Sequence, residues 1–387
     1  KDIQDWDDLY EKKSEVEFSK INSLPEIYPR DPAQIQFTSG TTGFPKGAKL
    51  HHMGLLNNAK SFQIRMGMEK GDHWLNCMPM FHTSGAGMAT LGCLAMRATH
   101  FIMERFDAKN WCAVVEREKI NFLTAVPTMF VEILDAWKSG SYGVSKIKGM
   151  TSGGTSVPPS LVKELHDLFG VWIQIVYGQT ESSPVITLAW ADDSLDNLTN
   201  SIGQPLPNIE VSIRNPKTNK ILEVGEIGEI CSRGYNTMLE YHQNPEASKE
   251  TIDSDNWLHT GDLGVMDSQG YVRISGRVKE MIIRGGENIY PKEIENILLE
   301  HEAISEVAIV GIPDKKYGEI VGCFIKFEEE QALRSAELKD FIRQKISPQK
   351  TPAFWVEIDT WPLTGSGKIK KFSLREQFES GTVLPLE

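Results

Sequence analysis

Hydrophobic and polar positions follow three successive rhythms along this chain, after an opening stretch that follows none. Residues 1 to 32 are polar, acidic and punctuated by prolines, as a surface segment is. Alternation starts at Ala33-Gln34-Ile35-Gln36-Phe37, a strand that runs into Thr38-Ser39-Gly40-Thr41-Thr42-Gly43, which is too rich in glycine and hydroxyls for helix or strand. From there to about residue 190 helical and strand-like patterns take turns. The clearest unit begins a helix at Ser156-Val157-Pro158 and repeats leucine at i, i+4 and i+7 (Leu161, Leu165, Leu168). It stops at Gly170 and continues as a buried strand from Val171 to Tyr177. This alternation predicts an α/β domain, a parallel sheet with helices on both faces, over about 33–200.

The second rhythm covers about 201–276. Short β-like runs (Glu210 to Arg214, Gly228 to Ser232, Tyr271 to Ser275) are separated by Asn-Pro, Gly-Glu and Asp-rich turns, which predicts a small antiparallel β-barrel module. Past Gly276 the pattern changes again. A short amphipathic helix at Glu293 to Glu300 (Ile294, Ile297, Leu298) precedes strands at Glu306 to Ile312 and Val321 to Phe327. A helix at Ala336 to Ile346 and a strand at Phe354 to Ile358 complete a small C-terminal α+β domain over 277–387.

Composition narrows the class. At 387 residues there is room for two or three domains, and 40% hydrophobic with 24% charged residues is ordinary for a globular protein. The net charge of −12 argues against a general nucleic-acid binder, and it makes any polyanionic substrate depend on a local cluster of cations, backbone N–H groups or a metal ion. The five cysteines (Cys77, Cys93, Cys112, Cys231, Cys323) stand far apart with no CxxC, so they read as reduced core residues, which fits an intracellular compartment. The longest apolar candidate, Gly85 to Met96, is interrupted by glycines, so no membrane span is expected. The first 17 residues hold seven acids and three lysines, opposite to a secretory or transit segment. The expected location is cytoplasmic, or the mitochondrial matrix in a eukaryote.

Six segments could carry chemistry. The run Thr38 to Gly47 holds four hydroxyls, three glycines and Lys46, a supply of backbone N–H groups, hydroxyl donors and charge suited to the oxyanions of a phosphate chain. Its glycines do not fit Walker A spacing. Tyr177-Gly178-Gln179-Thr180-Glu181 follows a buried strand at the sheet's carboxyl end, where α/β folds bind ligands. There Glu181 can bind Mg²⁺ and Thr180 a phosphate oxygen, although both residue types also serve as helix caps. Ser152-Gly153-Gly154 lacks bulk, as a ligand-hugging backbone or an ordinary tight turn would.

Asp262 in His259-Thr260-Gly261-Asp262-Leu263 could accept ribose hydroxyls, and Arg277, 15 residues on, could donate to ribose or phosphate; the two could equally be a surface ion pair. Lys368, behind the glycines of Thr364-Gly365-Ser366-Gly367, could neutralise transition-state charge or belong to a solvated basic tail with Lys370 and Lys371. His82, in the apolar run Met78 to Gly85, is by residue type either a packed core histidine or the lining of a pocket.

Taken together and in this order, TSGTTGFPKG, YGQTE, HTGDL, GRVKEMIIRGGENIYP and PLTGSGKIKK resemble the adenylate-forming superfamily, which includes acyl-CoA synthetases, luciferases and the adenylation domains of peptide synthetases. The likeness runs from residue 33 onward, and RGGENIYP with GKIKKFSLREQ is most similar to medium-chain fatty acyl-CoA synthetases. The resemblance implies a carboxylic acid, ATP, Mg²⁺ and CoA as reactants: acyl-adenylate and pyrophosphate form first, then CoA takes the acyl group. By the same likeness Thr38, Ser39, Gly40, Thr41, Thr42, Gly43 and Lys46 would hold the β- and γ-phosphates. Gly153 and Gly154 would border the acyl pocket and the adenine, with Tyr177 stacking on the base beside Gly178. Thr180 would meet phosphate, Glu181 Mg²⁺, Asp262 the ribose hydroxyls and Arg277 ribose or phosphate. Lys368 would stabilise the charge that builds as the carboxylate attacks the α-phosphate. Lys279 would be the hinge about which the small domain rotates, bringing Gly285, Gly286 and Glu287 to the CoA path.

Amino-acid-activating relatives place an aspartate in the segment that here reads Phe81-His82-Thr83-Ser84; with His82 and no acid there, an amine-free acid is favoured. Family members carry a long stretch ahead of the phosphate loop, so residues 1–276 read as an incomplete large domain. An oxidative, luciferase-like enzyme and a non-catalytic nucleotide-binding module remain the alternatives. Neither a nucleic acid nor a membrane is an expected partner, and oligomers are open.

Overall fold

A computed structural model describes residues 25–38, 45–143, 146–155, 157–363 and 369–386. Its largest sheet has seven strands in the order Thr99–Ile102, His73–Asn76, Phe122–Thr124, Gly149–Gly153, Ile173–Gly178, Val185–Leu188, Gln204–Pro205. The first five are parallel, as the alternating pattern predicts; the last two run antiparallel. This departure has a simple cause. Only a short turn separates Gly178 from Val185, and a parallel return needs a crossover of a dozen residues or so.

Side chains alternate across this sheet and separate two cores. Trp74 and Phe122, opposite one another in the register, face one core with Phe62 of the helix His52–Arg65 and Met88. Their neighbours Leu75 and Leu123 face the other, with Met150 and the helices Ala108–Arg117, Pro127–Ser139 and Pro159–Phe169. The leucine-rich helix read from sequence is the last of these, with Leu161 and Leu165 buried and Gly170 at φ +72° as its C-cap.

The predicted opening strand exists as Pro32–Thr38, paired antiparallel with Lys46–His51, which also pairs with Glu240–Tyr241. The barrel-like module is a four-stranded antiparallel sheet, Ile209–Arg214, Gly228–Gly234, Leu258–Met266 and Val272–Arg277 in that order. Its end strands are not paired with each other, so it stays open rather than closing as a barrel. Residues from 282 onward form a five-stranded sheet on the long hairpin Ile304–Asp314 and Gly318–Phe327, covered by the helices Pro291–Leu298, Ser335–Arg343 and Lys371–Glu379. The architecture is thus a large α/β part with a mixed sheet, followed by a small α+β part. All five cysteines are buried and free, and among the described residues no helix is long and apolar enough to cross a membrane.

Trp74 is fully buried, stacked on Phe122 with ring centroids 6.2 Å apart and edge-on to Phe62 at 6.1 Å. Trp74→Ala is expected to cost about 3–5 kcal/mol, the range for an enclosed aromatic. In urea unfolding the midpoint should fall with an unchanged slope. Ile64→Ala, on the exposed side of the neighbouring helix, should stay within about 0.5 kcal/mol of the parent.

Candidate active site

The carboxyl end of strand Ile173–Gly178 is the centre of the site. Tyr177 donates its phenol to Asp262 Oδ2 at 2.9 Å. Asp262 and Arg277 are cross-strand partners in the antiparallel sheet, with Arg277 Nε 3.2 Å from Asp262 Oδ1. Two residues that could have been a surface pair therefore form a triad with Tyr177, and Asp262 is largely enclosed. Burial, and then the Asp262 charge, push the Tyr177 phenol well above its ordinary range, so it remains a donor.

Immediately after this strand, Thr180–Ser182 make a single 3-10 turn. Gln179 and Ser182 do the capping there, with the Gln179 N–H donating to Ser182 Oγ at 3.1 Å. Glu181 is thereby released from the capping duty its residue type also fits. Its carboxylate, 8% exposed, accepts the Tyr241 hydroxyl on Oε1 at 2.5 Å. Tyr241 pairs with Ala48 on the strand Lys46–His51, and the Lys46 ammonium lies 4.9 Å from the Tyr241 ring centroid. Burial and the Glu181 charge raise the Tyr241 hydroxyl strongly. Nothing in the sequence marks Tyr241 as functional: it lies 60 residues from Glu181, in a two-residue strand.

Close approach explains two glycines. A Cβ on Gly178 would stand 1.9 Å from the Pro184 carbonyl oxygen, and one on Gly153 would stand 2.2 Å from that of Val176. Gly153 ends the strand Gly149–Gly153 next to Val176, and Gly154 follows at φ +82°. Lys46, Gly153, Gly154, Tyr177, Gly178, Thr180, Glu181, Asp262 and Arg277 are thus gathered where these strands end.

Thr38 closes its strand opposite Lys46, its hydroxyl 3.4 Å from the Lys46 carbonyl. Ser39, Gly40, Thr41, Thr42, Gly43 and Lys368 lie outside the described residues. His82 is not a packed core histidine: it is exposed, with Nδ1 2.7 Å from Ser84 Oγ. Lys279 is exposed on the turn Val278–Glu280, two residues past Arg277. Gly285 and Gly286, at φ +58° and +91°, make the two-residue turn between strands Ile282–Arg284 and Glu287–Ile289, the backbone of a type I′ hairpin.

The supposed basic tail is partly buried. Lys371 Nζ sits 2.8 Å from Glu280 and 2.7 Å from Glu295. Burial opposes its charge, but the two carboxylates, Glu295 foremost, prevail and raise its pKa. His259, read only as part of a motif, lies 2.8 Å from Glu229 Oε2 and 3.6 Å from Asp253 Oδ2. The hydrogen bond to Glu229 outweighs desolvation and lifts the imidazole above its ordinary pKa.

Comparison with known proteins yields family matches along most of the chain. The AMP-binding enzyme family model matches residues 2–242, and the AMP-binding enzyme C-terminal domain model matches 293–368. YngI of Bacillus subtilis strain 168, whose acyl-CoA synthetase name is provisional, is 39% identical over 374 residues, covering 96% of this chain and 68% of that one. The human mitochondrial medium-chain acyl-CoA ligase ACSF2 is 38% identical over 355 residues, 90% of this chain and 58% of its own. Among solved structures, ATP-bound MatB from Rhodopseudomonas palustris superposes with a TM-score of 0.83 at 28% identity, over 92% of this chain and 70% of that one. The o-succinylbenzoate CoA synthetase MenE from Bacillus subtilis, in complex with its acyl-adenylate OSB-AMP, gives 0.80 at 30% identity, over 90% and 70%. The chain spans 58 to 70% of the lengths of these four proteins.

The raised His259 pKa has a thermodynamic consequence. Because the folded value exceeds the unfolded one, the ion pair's contribution is complete below about pH 6.5 and is lost as pH climbs through the folded value. His259→Gln should therefore lower the melting temperature most near pH 6, and the gap to the parent should narrow toward pH 9. A gap that stays constant over this range would show that His259 does not titrate with folding.

Proposed function

Because this chain belongs to the AMP-binding enzyme family, we propose that it activates a carboxylic acid with ATP and transfers the acyl group to CoA. In the first step a carboxylate oxygen bonds to the α-phosphorus and pyrophosphate leaves. In the second the CoA thiol gives up its proton, sulfur bonds to the acyl carbon and AMP leaves. The observation that carries this reading is the convergence of two polar clusters, Tyr177–Asp262–Arg277 and Glu181–Tyr241–Lys46, on the end of one strand.

In this reading the Tyr177 ring stacks on adenine beside Gly154 and Gly178, Asp262 accepts the ribose hydroxyls, and Arg277 reaches ribose or phosphate. Thr180, Lys46 and the loop from Thr38 to Gly43 receive the phosphates. A buried carboxylate oriented by a phenol is a hard oxygen donor and fits Mg²⁺, which would neutralise phosphate charge there. Lys368 neutralises charge on the α-phosphate during adenylation. The large domain ends at residue 276 and a mobile domain begins at 277. Rotation about Lys279 withdraws Lys368 and brings Gly285, Gly286 and Glu287 to the thiol's path.

The substrate is a fatty acid in the medium-chain range. His82, where amino-acid-activating relatives carry an aspartate, supports an acid without an α-ammonium, and Gly153 with His82 borders the acyl pocket. The name of ACSF2, a medium-chain acyl-CoA ligase, points the same way.

Pyrophosphate exchange with a panel of carboxylic acids tests the first step, and mass spectrometry of products with CoA tests the second. Saturated fatty acids should support both, and α-amino acids neither. Lys368→Ala should abolish adenylate formation while sparing thioester formation from a supplied adenylate; equal loss of the two would contradict the role of this lysine.

A further inference from the structure

Between Leu258 and Leu263 the strand that carries Asp262 leaves its ladder. Cys231 faces His259 and Glu229 faces Leu263, so two residues' advance on one strand matches four on the other. Thr260, Gly261 and Asp262 bulge away from strand Gly228–Gly234, with Gly261 at φ +74°, while Asp262 keeps its place opposite Arg277.

Side chains take up the backbone groups of this bulge. Glu229 Oε1 accepts the Gly261 N–H at 3.0 Å. Thr260 Oγ1 donates to the Ile230 carbonyl at 2.7 Å and accepts the Asp262 N–H at 3.1 Å. The other Glu229 oxygen holds His259 Nδ1. Glu229 is 8% exposed, so its charge needs the compensation that His259 provides.

The groups facing the imidazole come from three directions. Glu229 and Cys231 belong to the adjacent strand, with Cys231 Sγ 3.5 Å from Nδ1. Asp253 comes from the loop after helix Pro245–Thr251, fixed by the N–H groups of Asp255 and Trp257 and by the Asn219 amide. Arg214, on the strand Ile209–Arg214, sits 3.5 Å behind Asp253.

We propose that Glu229, with His259 as its counter-ion, is a positioning residue for Asp262: it holds the bulge in shape and so sets how tightly the sugar hydroxyls of the nucleotide are bound. The inference rests on the assignment of Asp262 to the ribose. Glu229 touches no part of the nucleotide in this reading. It acts through the amide of Gly261, one residue before the carboxylate that does.

The test compares ATP with 2′,3′-dideoxy-ATP by calorimetric titration on the full chain, with melting curves as a control for folding. Wild type should prefer ATP. Glu229→Ala should raise the Kd for ATP about tenfold, the loss of one charge-assisted hydrogen bond, and leave that of the dideoxy nucleotide unchanged. Glu229→Gln keeps an oxygen for the Gly261 N–H and should recover part of the preference. Glu229→Ala combined with Asp262→Ala should add little to Asp262→Ala alone, since both act on one contact. If Glu229→Ala does not fold, His259→Gln should show the same selective loss.

Equal weakening of both nucleotides, or no weakening in a cooperatively melting variant, overturns the proposal. So does an equivalent of zinc in the purified chain that Glu229→Ala releases, because ligand atoms of Glu229, Cys231 and His259 lie within 4.8 Å of one another. A wild type that binds both nucleotides equally would remove the ribose assignment itself. That failure is read from the parent protein, before any variant is made.

Discussion

The hydrogen bond from Tyr177 to Asp262 is the contact on which the rest of the site depends, because it joins two sheets that no ladder connects. Tyr177 ends a strand of the mixed sheet; Asp262 bulges from a strand of the antiparallel sheet. A phenol held protonated by burial gives a directional donor to a carboxylate that also pairs with Arg277. These three groups bring the ends of both sheets together. Glu181, four residues past Tyr177, then falls beside Tyr241 from the third sheet. Tyr177, Glu181 and Asp262 are therefore each placed by a contact between elements distant in sequence.

Much of the architecture was legible because it follows from local rules. The helix around Leu161 and Leu165 ends at Gly170 for the reason its pattern indicates: the C-cap needs a left-handed residue. The strand at Ala33 to Phe37 and the two strands that form the C-terminal hairpin were equally plain, since alternation and apolar runs carry their own signal. Less legible was strand direction. Val185–Leu188 reads as buried whichever way it runs, and only the shortness of the turn before it decides that it returns antiparallel. The barrel-like module shows the same limit, because periodicity marks strands without saying whether the outermost two meet.

The site divides along a similar line. Tyr177, Glu181, Asp262 and Arg277 were singled out by motif; Tyr177, Asp262 and Arg277 fold into contact, while Glu181 meets Tyr241. Tyr241 and Glu229 were invisible for a physical reason: each acts on a partner dozens of residues away, by a hydrogen bond that leaves no local pattern. Lys371 does not fit the solvated basic tail that its sequence also suggests, since Glu280 and Glu295 draw it inward. Composition cannot distinguish a lysine in water from one held between two acids.

Charge explains why such pairings recur around these strand ends. A chain of net charge −12 offers a phosphate chain no favourable field at a distance, so attraction must come from cations held close. Among the described residues, Lys46 is tethered to the face of Tyr241 and Arg277 to Asp262. Tethering reduces the side-chain freedom left to lose when an anion arrives, and the low exposure of the acids strengthens each local interaction. The same logic reaches the small domain, where Lys371 ties the start of helix Lys371–Glu379 to the turn that holds Lys279. Leu363 and Ile369 pair antiparallel just before that helix. In the proposed rotation about Lys279, this bridge would move with the helix, since the ion pair and the bridge both lie past residue 279.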